Sequence, residues 1–243
     1  MPRLDQVLVE RGLCESREKA KRAIMAGQVQ INQHPARKPS DPAGPGDQIE
    51  LEAEEKYVSR GGHKLEHALC HFQLNVEGTT AIDLGAATGG FTDCLLQHGA
   101  SKVYALDVGR AQLAWNLRND PRVVVMEQTN IRHVTRLPEP IQCVVIDVSF
   151  ISLHLVLPQL APLLVPGAWI VALVKPQFEA GKAEADKGAG VISDPAVHTR
   201  VLDELQEWIA EHTPLQVQGL TDSPIYGRDG NKEFLLYLIF RRE

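Results

Sequence analysis

The stretch TTAIDLGAATGGFTD (Thr79–Asp93) runs from a short apolar strand pattern, through a turn of small residues, into the start of a helix. A strand that ends in an acid and a glycine turn that opens a helix form the first unit of an alternating α/β sheet. The alternation continues. Strand patterns recur at KVYALDV, RVVVME, CVVIDVS, WIVALVK, LQVQGLT and EFLLYLIFR, with helical patterns between most of them. Such alternation predicts a parallel sheet covered on both faces. Only DSPIYGRDGNK separates the last two strands, too short for a crossover helix, so the final strand is expected to run antiparallel.

The chain has 243 residues, 44% hydrophobic and 23% charged, and a net charge of -6. This is the composition of a soluble globular protein without global attraction to nucleic acid, so any RNA contact has to come from a local basic patch. Cys14, Cys70, Cys94 and Cys143 are scattered without metal-ligand spacing, which suggests reduced thiols in a cytoplasmic protein and no metal site. Charges run through the N-terminal MPRLDQVLVERG, unlike a secretion signal. The long apolar run Leu153–Val174 is broken by Pro158, Pro162 and Pro166-Gly167, so it divides into helix, turn and buried strand rather than spanning a membrane.

Residues 1–54 form a separate pattern, joined by a linker at 55–58 to a domain at 59–243. Leu4, Val7, Leu8 and Leu13 have helical spacing, Ser16 suits the N-cap of a second helix, and VQINQHPARKP reads as strand, turn and strand. Basic residues cluster early, whereas 41–55 carries six acids and no base. Such a basic run is commonly just the solvated face of an amphipathic helix. The stretch from RLDQVLVERG to KPSDPAGPGDQIEL nevertheless resembles the S-four-type RNA-binding domain, with Asn32-Gln33 where that family often has Asn-Gly. The resemblance implies a small α+β RNA-binding fold whose basic second helix faces phosphates. Arg3, Arg17, Lys19, Lys21 and Arg22 are the expected RNA contacts, with Arg60 in the next domain. Phosphate contacts of this kind position an RNA without reading its sequence.

The glycine loop has neither the Gly-Lys-Ser/Thr of a P-loop nor the Gly-x-Gly-x-x-Gly dinucleotide spacing, and it holds no lysine for phosphates. Asp107 ends the next strand, where an acid can accept hydrogen bonds from both ribose hydroxyls of an adenosine cofactor. That position suits NAD as well as S-adenosylmethionine, and the loop favours the latter. The expected cofactor contacts are Asp83, Gly85, Ala86, Thr88, Gly89, Gly90, Phe91, Asp107, Val108 and Asn130.

Asp147 and Lys175 end two strands expected to be parallel, and Glu233 opens the antiparallel one, so all three should share one sheet edge. Lys64 precedes the first strand in SRGGHKLEHAL. Taken singly, a lone lysine usually snorkels to water, and the two acids could be ion-paired at the sheet edge. The motifs YVSRGGHKLE, DLGAATGGFTDCLLQHGA, LRNDPRVVVMEQTNIR, IDVSFISL, LVKPQFEAGK and GNKEFLLYL, in this order from Tyr57 to Arg242, resemble the TlyA (haemolysin A) family of ribosomal RNA methyltransferases, a group of FtsJ-like ribose 2′-O-methyltransferases. The resemblance implies a Rossmann-like S-adenosylmethionine-dependent fold and a catalytic tetrad of Lys64, Asp147, Lys175 and Glu233.

In such a tetrad a lysine takes the proton of a ribose hydroxyl, a poor nucleophile until it is deprotonated; Lys175 is the expected base. An ordinary lysine is protonated near neutrality, so a second cation and partial desolvation must favour the free amine while carboxylates orient the ammonium groups and oppose the change. The resemblance further implies a cytidine of large-subunit ribosomal RNA as target, because the short termini match the family type acting on that subunit, and neither DNA nor a membrane as partner. Two departures from the family stand out. Arg110-Ala111 replaces the common Tyr-Gly, and KGAGVISDP varies a glycine run in the 178–194 loop, which either covers substrate or is ordinary disordered loop. A membrane-lysing protein and a catalytically inactive RNA-binding scaffold are the alternatives in function.

Overall fold

A computed structural model describes residues 1–51, 55–181, 184, 188, 190–227 and 229–241, and the chain divides into two units, Met1–Lys56 and Tyr57–Glu243. The boundary expected at Glu54, part of the 178–194 loop and Arg242 lie outside the described residues. Tyr57, in the stretch read as linker, is 2% exposed and belongs to the core of the second unit.

In the first unit α1 (Leu4–Glu10) and α2 (Arg17–Met25) pack on strands β1 (Val29–Ile31), β2 (His34–Pro35) and β3 (Ile49–Leu51), which form an antiparallel sheet in the order β2-β1-β3. Leu4 and Leu8 of α1 meet Ala20 and Ile24 of α2 and Val29 of β1 in a small core. Helix α1 stops at Glu10, so Leu13 lies beyond it and is 36% exposed. Ser16 does cap α2, its side chain accepting from Lys19 N at 3.3 Å. Ile31 pairs with His34, so the β1–β2 turn is the two residues Asn32 and Gln33, with φ of +50° and +67°. This explains the family's preference for Asn-Gly there, since glycine adopts the second position without strain.

The second unit begins with α3 (Gly61–His71) and contains strands β4 (Thr80–Leu84), β5 (Lys102–Leu106), β6 (Val123–Met126), β7 (Ile141–Ile146), β8 (Leu164–Val174), β9 (Leu215–Asp222) and β10 (Phe234–Phe240). Their order is β6-β5-β4-β7-β8-β10-β9, and β10 is antiparallel to both of its neighbours. Helices α4 (Gly90–Gln97), α5 (Trp115–Arg118), α6 (Leu153–Val156), α7 (Pro176–Glu179) and α8 (Pro195–His212) fill the connections. Strand alternation divides the core. Val144 and Ile146 face a cluster that includes Leu205 and Ile209 of α8, while Cys143 and Val145 face Leu65 of α3 and Leu95 of α4. Each fully buried Leu or Ile of this kind contributes about 1.5–3 kcal/mol.

The turn expected at Pro166-Gly167 is instead a bulge inside β8. Ile141 pairs with Leu164 and Cys143 with Trp169, so β8 carries extra residues there, with Gly167 at φ +82°. Because β4 has β5 on one side and β7 on the other, the chain reverses its direction of travel across the sheet at β4. The crevice for ligands in such a sheet opens at the C-terminal ends of these strands.

Candidate active site

Asp147 follows the last residue of β7, Lys175 follows the last residue of β8, and Glu233 precedes the first residue of β10, whose Phe234 pairs with Val174. The topology therefore brings all three to one edge. Lys64 reaches them from the first turns of α3. Lys64 Nζ lies 2.5 Å from Glu233 Oε2, and Lys175 Nζ lies 2.6 Å from Asp147 Oδ1. Both lysines are 8% exposed and Glu233 is 3% exposed. All four line one cavity of about 390 Å³, together with Gly85 and Phe91. The sheet-edge ion pairs and the shared site are thus one arrangement, with each ammonium matched to its own carboxylate. Such matching is what lets charges stay at a buried wall.

Two contributors escaped the sequence reading. Ser149 Oγ accepts from Lys175 Nζ at 2.9 Å, so two of the three ammonium hydrogens are engaged. The signal available was its place two residues after Asp147. Gly227 passes so close that a Cβ there would stand 2.7 Å from Glu233 Oε1, so a larger residue would make the carboxylate shift.

A second cavity of about 340 Å³ shares Gly85, Ala87 and Asp147 with the first and adds Asp107, Val108 and Asn130. Asp107 is fixed by backbone: Oδ2 accepts from Ala87 N at 2.8 Å and Oδ1 from Gly109 N at 2.6 Å. Its remaining lone pairs can serve a ligand. Gly85 has φ +83°, and a Cβ there would stand 2.4 Å from Asp147 O, so glycine lets the β4 and β7 loops cross. Phe150, 91% exposed with φ +63°, stands at this cavity, its ring centroid 5.1 Å from that of Phe178. Asn130 Oδ1 caps the next turn by accepting from Arg132 N at 3.0 Å.

Several expected cofactor contacts sit elsewhere. Asp83 lines neither cavity; it is fully buried, its Oδ2 accepts from Thr92 Oγ1 at 2.6 Å, and its Oδ1 has no hydrogen-bond partner. Burial pushes its pKa up to about 7, Thr92 opposes, and the charges of Asp147 and Asp107 add to the rise. Gly89 also lines neither cavity. It has φ +100° and its missing Cβ makes room for Leu117 Cδ1, which would be 2.3 Å away. Ala86, Thr88, Gly90 and Phe91 line the cavity of the four ionisable residues instead, as does Arg60.

The Arg110-Ala111 departure falls where Ala111 has φ +53°, a conformation that suits glycine. Glu127 secures this loop, accepting from the amides of Ala111, Gln112 and Leu113 and from Arg118 Nη2. Burial raises its pKa, but the Ala111 and Leu113 amides, Arg118 and the Gln112 amide outweigh this and hold it at about 2.

In the first unit most of the expected RNA contacts have protein partners. Arg3 grips the fully buried Asp5 with two bonds, of 3.0 and 3.1 Å, and Arg17 Nη2 reaches the same carboxylate at 3.0 Å. These contacts hold the Asp5 pKa down to about 2, Arg3 contributing most. Lys19 pairs with Glu15, and Lys21 with Glu18 at 3.0 Å. Arg22 is exposed, without an ion-pair partner among the described residues.

The FtsJ-like methyltransferase family model matches residues 57–240, and the S4 domain model matches residues 2–49. The chain is 52% identical over 243 residues to "Putative rRNA methyltransferase YqxC" of Bacillus subtilis (strain 168), covering 97% of this chain and 85% of that one. It is 46% identical over 242 residues to "16S/23S rRNA (cytidine-2'-O)-methyltransferase TlyA" of Mycobacterium tuberculosis, covering 97% and 89%. Among solved structures, "Putative hemolysin from Streptococcus thermophilus" superposes with a TM-score of 0.75 at 46% identity, covering 100% of this chain and 89% of that one.

Proposed function

The chain belongs to the FtsJ-like methyltransferase family, and we propose that it methylates the ribose 2′-oxygen of a cytidine in large-subunit ribosomal RNA, using S-adenosylmethionine. The observation that carries this reading is the meeting of two cavities at Gly85, Ala87 and Asp147, one with a backbone-fixed strand-end acid and the other with two lysine–carboxylate pairs. The target nucleotide comes from the relative named for cytidine 2′-O-methylation, and the S4 domain at residues 2–49 supports an RNA substrate. With ribosomal RNA as substrate, we infer that the protein works in the cytoplasm.

The residues present fit S-adenosylmethionine. Asp107 would accept from ribose hydroxyls, Gly85 and Ala87 allow close backbone approach, and Val108 and Asn130 border the same space. When bound, the cofactor supplies an electrophilic methyl group on a sulfonium. The chain's own residues manage the proton. Lys175 Nζ is held by Asp147 and Ser149 and takes the proton of the 2′-hydroxyl. Lys175 acts as the free amine, its nitrogen held in place by Asp147 Oδ1 at 2.6 Å and Ser149 Oγ at 2.9 Å. Lys64, anchored on Glu233, directs its remaining N–H donors into the cavity and orients the ribose.

Among the described residues no helix is long and apolar enough to cross a bilayer. Mapping ribose methylation in ribosomal RNA from cells with and without the protein tests the proposal. Loss of one 2′-O-methylcytidine in large-subunit RNA is the expected result; an unchanged methylation map contradicts it.

A further inference from the structure

Lys175 precedes α7, while Asp147 and Ser149 follow β7, so the bonds of Lys175 Nζ join two separate chain segments. The same two segments meet again away from the cavities. Glu179, the last residue of α7, has a side chain only 3% exposed and lines neither cavity. Its carboxylate accepts from Ser152 Oγ at 2.6 Å and from Leu153 N, the first amide of α6, at 2.9 Å. A carboxylate only accepts, so the Ser152 hydroxyl proton lies in the bond to Glu179. The Ser152 oxygen is then the acceptor for His154 N at 3.2 Å and for a proton on His154 Nδ1 at 2.7 Å, which fixes the histidine tautomer. The His154 ring stands edge-on to Trp208 of α8, at 4.5 Å between centroids.

Ser152 already serves as the local N-cap of α6, so a second acceptor from another segment is more than a four-residue helix needs. What the contact does is fix the far end of the span from Asp147 to Ser152. The near end is fixed where Asp147 N donates to Leu84 O at 2.9 Å. Between them Phe150 holds φ +63°, a left-handed conformation that persists in a non-glycine residue only when its surroundings impose it.

We propose that Glu179 is a positioning residue for methyl transfer: clamped on Ser152 and Leu153, it holds the Asp147–Ser152 span where Lys175 Nζ reaches both Asp147 and Ser149. This rests on the reading of Lys175 as the base. Glu179 touches no reacting atom and acts through that pair.

The test uses the full chain carrying Glu179→Ala or Glu179→Gln, with Glu204→Gln, which alters an exposed pair with Arg200, as control. With Glu179→Ala, the single-turnover rate falls by up to about 100-fold, the scale on which an ångström of misplacement acts. The half-saturating RNA concentration stays near that of the wild type, while that of the cofactor rises by much less than the rate falls, because the same span lines the cofactor cavity. The pH–rate profile moves as well, since Lys175 loses a fixed carboxylate while Arg60, Lys64 and Glu233, the other charged groups lining the cavity, keep their places. Glu179→Gln, which retains an acceptor for Leu153 N, is intermediate and decides the matter if the alanine variant does not fold. Hydrogen exchange at the amides of Ser149 to Leu153 reads the clamp without turnover and accelerates in both variants. A wild-type rate and pH profile in a variant that is merely less heat-stable overturns the proposal, as does unchanged exchange. Absence of methyl transfer by the wild type, with exchange still dependent on Glu179, overturns the methyl-transfer reading instead.

Discussion

Asp5 in the first unit and Asp83 in the second are both fully buried, yet they are held in opposite states. Two guanidiniums close on Asp5 and hold its pKa down to about 2, whereas Asp83 has only the Thr92 hydroxyl and is pushed up to about 7 by burial. Depth alone does not set the charge of a buried acid; the cation within reach does. The same contrast runs through the basic residues. In the first unit Arg3 and Arg17 serve a structural carboxylate, while in the second Lys64 and Lys175 are paired at the wall of an open cavity.

The sharpest way to break this comparison is Lys175→Met. Methyl transfer falls by roughly two to four orders of magnitude, the usual worth of a positioned acid-base group, while cofactor affinity and thermal stability stay close to wild type. A large drop in stability with modest loss of rate would place Lys175 beside Arg17 as a structural cation. Asp107→Ala comes next: calorimetric titration should show S-adenosylmethionine binding weakened by about 10- to 100-fold, as expected for lost hydrogen bonds to a charged group worth about 1.5–3 kcal/mol. Tight NAD binding with no response to S-adenosylmethionine would contradict the assignment.

The two aspartates give opposite pH dependences. Asp5 has a depressed pKa, so its contribution to stability is complete above the unfolded value of 3.8 and is lost as pH falls through about 2. Asp83 has a raised pKa, so its contribution is complete below 3.8 and is lost as pH rises through about 7. Asp5→Asn should therefore speed hydrogen exchange in the first-unit core at neutral pH. Asp83→Asn, which imitates the neutral acid, should make the chain more heat-stable than wild type at pH 8, with the difference shrinking as pH falls and vanishing only near 3.8. Equal responses of the two variants would remove the contrast. The smallest effect separates Arg22 from Arg17. Arg22→Ala should lower the salt dependence of RNA binding by about 0.7–0.9 in log–log slope, the value of one phosphate contact. Arg17→Ala should act mainly on stability; equal slopes for both variants would restore Arg17 as an RNA contact.

Strand ends were legible because a parallel sheet leaves little choice: once CVVIDVS and WIVALVK are neighbours, Asp147 and Lys175 share an edge. Side-chain partners across the fold were not. Nothing in the run of basic residues shows that Arg3 and Arg17 turn to Asp5, although an acid between Leu4 and Val7 on a buried helix face was the available clue. Gly89 shows a related ambiguity. Both a ligand cradle and close packing require a missing Cβ, and the sequence does not reveal the packing of Leu117 and Leu113 against this glycine. Glu179 lay unmarked in LVKPQFEAGK because its partners, Ser152 and Leu153, belong to another segment.

The central claim is that the cavity of Lys64, Asp147, Lys175 and Glu233 activates a ribose hydroxyl. Its most direct test is single-turnover transfer of a labelled methyl group from S-adenosylmethionine to ribosomal RNA, followed by digestion to nucleosides to locate the label. The account predicts label on the 2′-oxygen of cytidine with the wild type and almost none with Lys175→Met. Label on a base, or near-normal ribose labelling by the variant, would contradict it.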